Sequence, residues 1–106
     1  MLDVQERNLK IIQTFLNLYV PDCEVRAFGS RVNGTAKKYS DLDLAIVAQN
    51  KLDFNTLGNL RELFMASELP FSVDILDWHS LPESFQKNIE KNFFILQPSA
   101  ADRKSA

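Results

Sequence analysis

The stretch Gly29–Val47, GSRVNGTAKKYSDLDLAIV, decides the fold of this chain of 106 residues. Its first part holds two of the three glycines together with Ser, Thr and Asn, which is typical of a loop with a short helical turn. Its second part, Asp41–Val47, alternates at first and then becomes apolar, which predicts a strand with one buried face. The short segment before it, Cys23–Phe28, ends at a glycine and predicts a preceding strand. We therefore expect a strand–loop–strand unit at the centre of the fold.

Two carboxylates stand out at the start of the second strand. Because strand side chains alternate, Asp41 and Asp43 point to one face, and Leu42 and Leu44 point to the other. Carboxylates held about 7 Å apart along a strand repel each other, and a bound divalent cation turns that repulsion into attraction. Oxygen ligands of this kind suit Mg²⁺, which binds one or two carboxylates together with phosphate oxygens.

A third carboxylate lies in an apolar segment further along the chain. The segment Phe71–Leu76, FSVDIL, predicts another strand, and Asp74 is costly inside it unless it is paired or binds a metal ion. If this strand lies beside the strand of the first two aspartates, Asp74 completes a triad with them. Asp77 is the competing candidate, but it should face the other side, so we predict a structural role for it.

The turn formed by Gly29 and Ser30 suits the same site. Glycine lets the backbone approach a ligand closely, and exposed N–H groups with the Ser30 hydroxyl can hold phosphate oxygens. Arg31 adds a cationic fork suited to phosphate, and a salt bridge within the loop is the alternative for it. A nucleoside triphosphate at this turn, with metal ions on three aspartates, is the arrangement of two-metal nucleotidyl transfer. One ion activates the attacking hydroxyl, and the other stabilises the leaving pyrophosphate.

Helical and strand patterns flank this unit. A stripe of apolar residues predicts a helix at Asp3–Tyr19, with Asp3 as its N-cap and Glu6 completing a capping-box-like pair. We predict further helices at Phe54–Glu68 and Glu83–Asn92 and a last strand at Phe93–Leu96. The order of elements predicts an α/β (α+β) fold, a small mixed β-sheet flanked by helices that pack mainly on one face.

Length, composition and charge narrow the class of protein. The chain can bury one core, so we expect one domain, residues 1–97, followed by a mobile tail, residues 98–106. The net charge is −2 and no basic stripe is visible, which argues against nucleic acid as a partner. No apolar run has the length of a membrane span. The single cysteine, Cys23, can form no internal disulfide, so we expect the reducing cytoplasm.

The motif residues give the chain a resemblance to a known family. Gly29-Ser30-Arg31, Gly34-Thr35 and Ser40-Asp41-Leu42-Asp43-Leu44, with Asp74 downstream, look like the motif block of the minimal nucleotidyltransferase (MNT) family of the polymerase β-like superfamily. The resemblance covers roughly Leu9–Leu96. It implies transfer of a nucleoside monophosphate, usually AMP from ATP, to an acceptor hydroxyl.

The resemblance also implies residue roles and cofactors. Gly29, Ser30, Arg31 and Ser40 are the implied nucleotide-binding residues, and Asp41, Asp43 and Asp74 are the implied catalytic and metal-binding residues. The implied cofactor is Mg²⁺, as two ions, and ATP is the implied substrate.

Stand-alone members of the family are typically paired with a small helical HEPN protein, as antitoxin and toxin. In that system the MNT protein adenylylates a tyrosine of the HEPN ribonuclease and silences it. We expect no added helical acceptor domain of the kind found in the related aminoglycoside nucleotidyltransferases.

Two functional hypotheses follow. The first is an ATP- and Mg²⁺-dependent enzyme that modifies a HEPN partner, and the second is a non-catalytic module that neutralises the partner by binding. The intact aspartates favour the enzyme, and a small-molecule or RNA nucleotidyltransferase is a weaker third hypothesis. The sequence leaves open the acceptor, the preferred nucleotide and the oligomeric state, including a homo-oligomer.

Overall fold

The computed structural model of the chain describes residues 1–104. Its helices are α1 (Glu6–Tyr19), α2 (Ser30–Asn33), α3 (Phe54–Met65), α4 (Glu83–Lys91) and α5 (Ala100–Lys104). Its strands are β1 (Glu24–Phe28), β2 (Leu42–Val47), β3 (Val73–Asp77) and β4 (Phe94–Gln97), and a 3₁₀ turn follows β3 at Trp78–Ser80. The predicted order of the long elements is confirmed. No helix in the part of the chain that the structure describes is long and apolar enough to cross a membrane.

The four strands form one mixed sheet in the order β3-β2-β1-β4. β1 pairs antiparallel with β2 and β4, whereas β2 and β3 run parallel. A parallel pair needs a crossover connection, and helix α3 provides it between β2 and β3. The predicted fold class, a small mixed sheet flanked by helices, is therefore confirmed.

The hydrophobic core lies on one face of the sheet. Leu42, Leu44 and Ile46 alternate along β2, and each has 0% exposed area. They belong to one cluster with residues of α1 and α3, whose Phe15 and Phe64 rings meet edge-to-face at 5.3 Å between centroids. Burying one such aliphatic side chain contributes about 1.5–3 kcal/mol, so this packing fixes which face of β2 points outward.

The second face of the sheet carries polar and aromatic side chains. Phe28 of β1 and Asp74 of β3 are the register partners of Asp43 on either side, so the three share this face. Helix α4 covers part of the face, where the Phe85 ring meets Phe28 edge-to-face at 6.1 Å between centroids. Asp74 is exposed and Asp43 is half-buried, so the face is open to solvent around these two residues.

The start of α1 differs from the sequence prediction. The N-cap position is Gln5, which makes no side-chain cap, and the prediction of Asp3 as the cap is wrong. The backbone of Asp3 is used elsewhere: its N–H donates to the Arg31 carbonyl at 2.8 Å, and its own carbonyl accepts from the Arg31 side chain. These bonds hold Asp3 beside the central loop, ahead of the helix.

Two further boundaries depart from the prediction. Helix α3 ends at Met65, three residues before the predicted Glu68, because the Ser67 hydroxyl donates to the Phe64 carbonyl at 2.7 Å and the chain turns there. The predicted tail contains the short helix α5, and its first N–H, at Ala100, donates to the Asp22 carbonyl at 3.1 Å. Residues 105 and 106 of that tail lie outside the described residues.

Candidate active site

Gly29 joins β1 to α2 at the edge of the open face. Its φ of 83° lies in the left-handed region that favours glycine. A Cβ placed there would collide with Oδ2 of Asp43. The absence of a side chain therefore allows both the backbone turn and its close approach to the carboxylate.

Helix α2 leaves hydrogen-bond donors beside this turn. The Gly29 carbonyl accepts from the N–H groups of Val32 and Asn33 at 3.0 and 2.9 Å. The first N–H groups of a helix have no partner within the helix, and Ser30 stands at that position. Within the described part of the chain, the Ser30 hydroxyl makes no side-chain hydrogen bond. Backbone and hydroxyl donors are thus available to an oxygen-rich ligand.

The structure brings two of the predicted carboxylates together. Asp43 and Asp74 are register partners in the parallel pair β2–β3, as expected if the two strands are neighbours. Asp41 lies just before β2 and is exposed. The three aspartates therefore lie at the same end of the two neighbouring strands, on the open side of the sheet beside Gly29.

The charges of these aspartates act on one another. Partial burial raises the pKa of Asp43 above its ordinary value, and the nearby charges of Asp74 and Asp41 raise it further. Both effects destabilise the charged form of Asp43 relative to its neutral form. A bound cation reverses the sign of the local potential and favours the charged form.

The carboxylates suit a metal ion that binds together with a phosphate-bearing ligand. In the described residues, no three His, Cys, Asp or Glu side chains are already gathered as a metal-binding group. Mg²⁺ keeps several waters and is usually bound by one or two carboxylates together with substrate phosphates, rather than by a cage made only of protein. The paired Asp43 and Asp74, with the Gly29 backbone against Asp43, suit that mode of binding.

Arg31 and Ser40 make contacts within the loop. The guanidinium of Arg31 is buried and donates to the carbonyls of Ser40, Asp3 and Lys38 at 2.9, 2.9 and 3.2 Å. It also lies over the Phe71 ring, 4.1 Å from its centroid. The Ser40 hydroxyl accepts from the Lys37 N–H at 2.8 Å and closes a turn. These contacts favour a role for Arg31 and Ser40 in positioning the loop, rather than the phosphate contacts that the sequence predicts for them.

Asp77 has the structural role that the sequence predicts. It is buried, and its carboxylate accepts from the Leu52 N–H at 3.0 Å, the His79 N–H at 3.2 Å and the Ser80 hydroxyl at 3.1 Å. These bonds hold the segment after β3 against the end of the loop that precedes α3. Asp77 therefore points away from the Asp43–Asp74 pair.

Sequence reasoning missed how α4 is attached beside the site. The Asn92 side-chain amide donates to the Asn33 side-chain carbonyl at 2.6 Å, which links the end of α4 to the end of α2. On the same face, the Arg26 guanidinium lies 4.7 Å from the ring centroids of both Trp78 and Phe93. Asn33 and Asn92 are 59 residues apart, so no local pattern in the sequence predicts their contact.

Comparisons with known proteins agree with this geometry. The profile of the family described as "Polymerase beta, Nucleotidyltransferase" matches residues 10–99. A probable protein adenylyltransferase MntA of Haemophilus influenzae is 49% identical over 96 residues, which cover 91% of this chain and 84% of that protein.

Solved structures show the same architecture. A crystal structure of a toxin–antitoxin with AMP-PNP superposes with a TM-score of 0.72 at 26% identity, covering 94% of this chain and 79% of that chain. A structure of a tri-AMPylated Shewanella oneidensis HEPN toxin in complex with its MNT antitoxin gives a TM-score of 0.68 at 24% identity, covering 95% and 78%. The second likeness is one of fold.

Proposed function

The chain belongs to the polymerase beta nucleotidyltransferase family, and on that basis we propose that it transfers AMP from ATP to a hydroxyl of a partner protein. One observation carries the proposal: the Gly29 backbone lies against the Asp43 carboxylate, which is the register partner of Asp74. A turn suited to phosphate and carboxylates suited to a metal ion thus meet at one point. The 49% identity to a probable protein adenylyltransferase supports a protein as the acceptor.

The residues of this chain have separate tasks in the proposed reaction. The Gly29 turn and the Ser30 hydroxyl hold the outer phosphates, and Asp41, Asp43 and Asp74 would hold Mg²⁺. When bound, Mg²⁺ supplies charge neutralisation to the triphosphate and lowers the pKa of the attacking hydroxyl. The acceptor oxygen forms a bond to the α-phosphorus while the bond to pyrophosphate breaks. The exposed carboxylate of Asp74 takes the proton that the hydroxyl loses.

We propose that the acceptor hydroxyl belongs to another molecule. The face around Asp43 and Asp74 is open, and no element in residues 1–104 covers it. We infer that a small helical HEPN toxin presents a tyrosine hydroxyl to this face, in line with the α-phosphate. The likeness to a toxin–antitoxin structure with AMP-PNP supports this partner and this nucleotide. We place the reaction in the cytoplasm, where ATP and reduced thiols are found.

Intact mass measurement tests the proposal. The chain is incubated with ATP, Mg²⁺ and its HEPN partner, and we expect the partner to gain the mass of AMP. The Asp41→Ala variant should give no gain, whereas Asp22→Asn, which changes an exposed aspartate at the other end of β1, should modify the partner normally. A stable complex that neutralises the partner with no added mass would instead support the non-catalytic binding module.

A further inference from the structure

A cavity opens beside the phosphate turn. Its volume is about 360 Å³, and Gly29 forms part of its wall together with β1, α2 and α4. This size lies at the lower end of the range of about 300–1,000 Å³ that small-molecule pockets occupy. Because Gly29 belongs to both the turn and the cavity wall, one ligand can occupy both places at once.

One wall of the cavity is aromatic. Phe28 of β1 and Phe85 of α4 both line it. The two rings are nearly perpendicular, with 87° between their planes, and Phe85 keeps 41% of its surface exposed. An exposed aromatic ring beside a polar turn is unfavourable in water, and a flat ring stacked on it would remove that surface from solvent.

The remaining wall is rich in amides. Asn33, Asn88 and Asn92 line the cavity, and an asparagine side chain offers both a donor and an acceptor. Asn92 uses one amide hydrogen on Asn33. In the described part of the chain the Asn88 amide has no hydrogen-bond partner. Paired donors and acceptors on asparagine match the amino group and ring nitrogen of adenine.

We propose that this cavity binds the nucleobase of the nucleoside triphosphate, with the base stacked on Phe85 and its polar edge on Asn88. The proposal rests on the proposed function, because the phosphates must lie at Gly29 for the base to reach the cavity. A ribose joins base and α-phosphate, so a base site has to adjoin the phosphate site. The cavity adjoins the phosphate site through Gly29. Its aromatic wall can stack on the face of a nucleobase, and its amide wall can bond to the polar edge.

Two probes separate base binding from phosphate binding. Titration calorimetry measures the Kd of Mg²⁺–ATP and of Mg²⁺–tripolyphosphate, which has the phosphates without the nucleoside. We expect wild type to bind ATP more tightly. Phe85→Ala should raise the Kd for ATP by about tenfold, the loss of one stacking contact, and leave the Kd for tripolyphosphate unchanged. Phe85→Tyr keeps the ring and should keep the affinity.

Two more variants control the measurement. Asn88 is exposed on α4, so Asn88→Leu spares the fold, and it should raise the Kd for ATP by roughly fivefold, the loss of one hydrogen bond. Phe94→Ala removes a phenylalanine of similar exposure, 38%, that lies on β4 outside the cavity, and it should change neither Kd. Thermal melting of each variant establishes that it is folded.

Each contrary result has a distinct meaning. If wild type binds neither probe, the proposed function fails, and the base site fails with it. If wild type binds both probes equally, or if Phe85→Ala weakens both equally, the phosphate turn stands and the base site is overturned. If Phe85→Ala and Asn88→Leu bind ATP normally but slow AMP transfer to the partner, the cavity receives the acceptor side chain instead, which also overturns the proposal.

Discussion

The two faces of strand β2 are built for opposite purposes. Leu42, Leu44 and Ile46 have 0% exposed area under α1 and α3, whereas Asp43, between two of them, is half-buried on a face that α4 covers only in part. The closed face gains stability by excluding water. The open face holds like charges close together, which costs stability until a cation is bound. A single strand thus divides stability and chemistry between alternate residues, and substitutions at neighbouring positions should separate the two.

The largest expected effect is on the open face. Asp43→Asn keeps the side-chain volume and removes the negative charge, so the fold should persist while a metal ligand is lost. Loss of such a ligand removes several kcal/mol of transition-state stabilisation, so we expect AMP transfer to fall by roughly a thousandfold. The rate of mass gain on the partner measures it. Retained transfer in Asp43→Asn, with loss in Asp77→Asn at equal folded fraction, would mean that Asp77 belongs to the site.

The neighbouring residue should give the reverse pattern. Leu44→Ala leaves a cavity beneath α1 and α3, and such substitutions cost about 2–5 kcal/mol of unfolding free energy. Denaturant unfolding measures the loss. At a temperature where the variant is still folded, its transfer rate per folded molecule should match wild type. A rate loss as large as that of Asp43→Asn would contradict the division between the faces.

Gly29 lies between the end of β1 and the start of α2, beside the open face. An alanine there must adopt a φ of 83° with a ψ of −155°, a conformation found essentially only in glycine, at a cost of about 1–3 kcal/mol, and must push the Asp43 carboxylate aside. A ligand at 100 times its Kd stabilises a protein by roughly 2.7 kcal/mol, which raises the melting temperature of wild type with Mg²⁺–ATP. We expect Gly29→Ala to melt earlier and to show no such rise.

Gly34→Ala separates the two causes. Gly34 also has a φ of 83°, but a Cβ there meets nothing within 4 Å. Its ψ of 15° places it in the left-handed helical region, so Gly34→Ala should carry a backbone cost without a collision and keep the response to Mg²⁺–ATP. Equal responses in the two variants would show that the approach of Gly29 to Asp43 has no part in nucleotide binding.

The face of the sheet on which each strand residue lies was predictable, because it follows from the alternation of neighbouring residues in the sequence. Alternation in DLDLAIV and FSVDIL assigns each carboxylate to a face, and a spacing of three residues separates Asp74 from Asp77. The fold then needed only β2 beside β3, which the structure confirms.

The contacts of the loop were not predictable from the same kind of pattern. Arg31 donates to three backbone carbonyls, and every residue has a carbonyl, so no residue type marks the partners. One of them, Asp3, lies 28 residues away and was predicted as a helix cap for its side chain rather than its backbone. The junction between Asn33 and Asn92, and the cavity beside it, depend on how α4 returns to the sheet. Such long-range packing leaves no periodic signal in the sequence.

The smallest expected effect is a pH dependence that belongs to the open face alone. Burial first, and then the charges of Asp74 and Asp41, raise the pKa of Asp43 in the folded chain, whereas unfolding restores its ordinary value. Between those two pKa values the folded state binds more protons than the unfolded state, so this group makes stability fall as pH rises through the window. Asp43→Asn removes the dependence.

The comparison is made by denaturant unfolding of wild type and Asp43→Asn with a chelator present. The unfolding free energy of Asp43→Asn minus that of wild type should be smallest at acid pH, grow as pH rises through the raised pKa of Asp43, and stay constant above it. Asp22→Asn, at an exposed aspartate outside the site, should give a difference without this step. If the difference in unfolding free energy between Asp43→Asn and wild type does not change across this pH range, the charge of Asp43 does not destabilise the folded state. The prediction for the open face is then wrong.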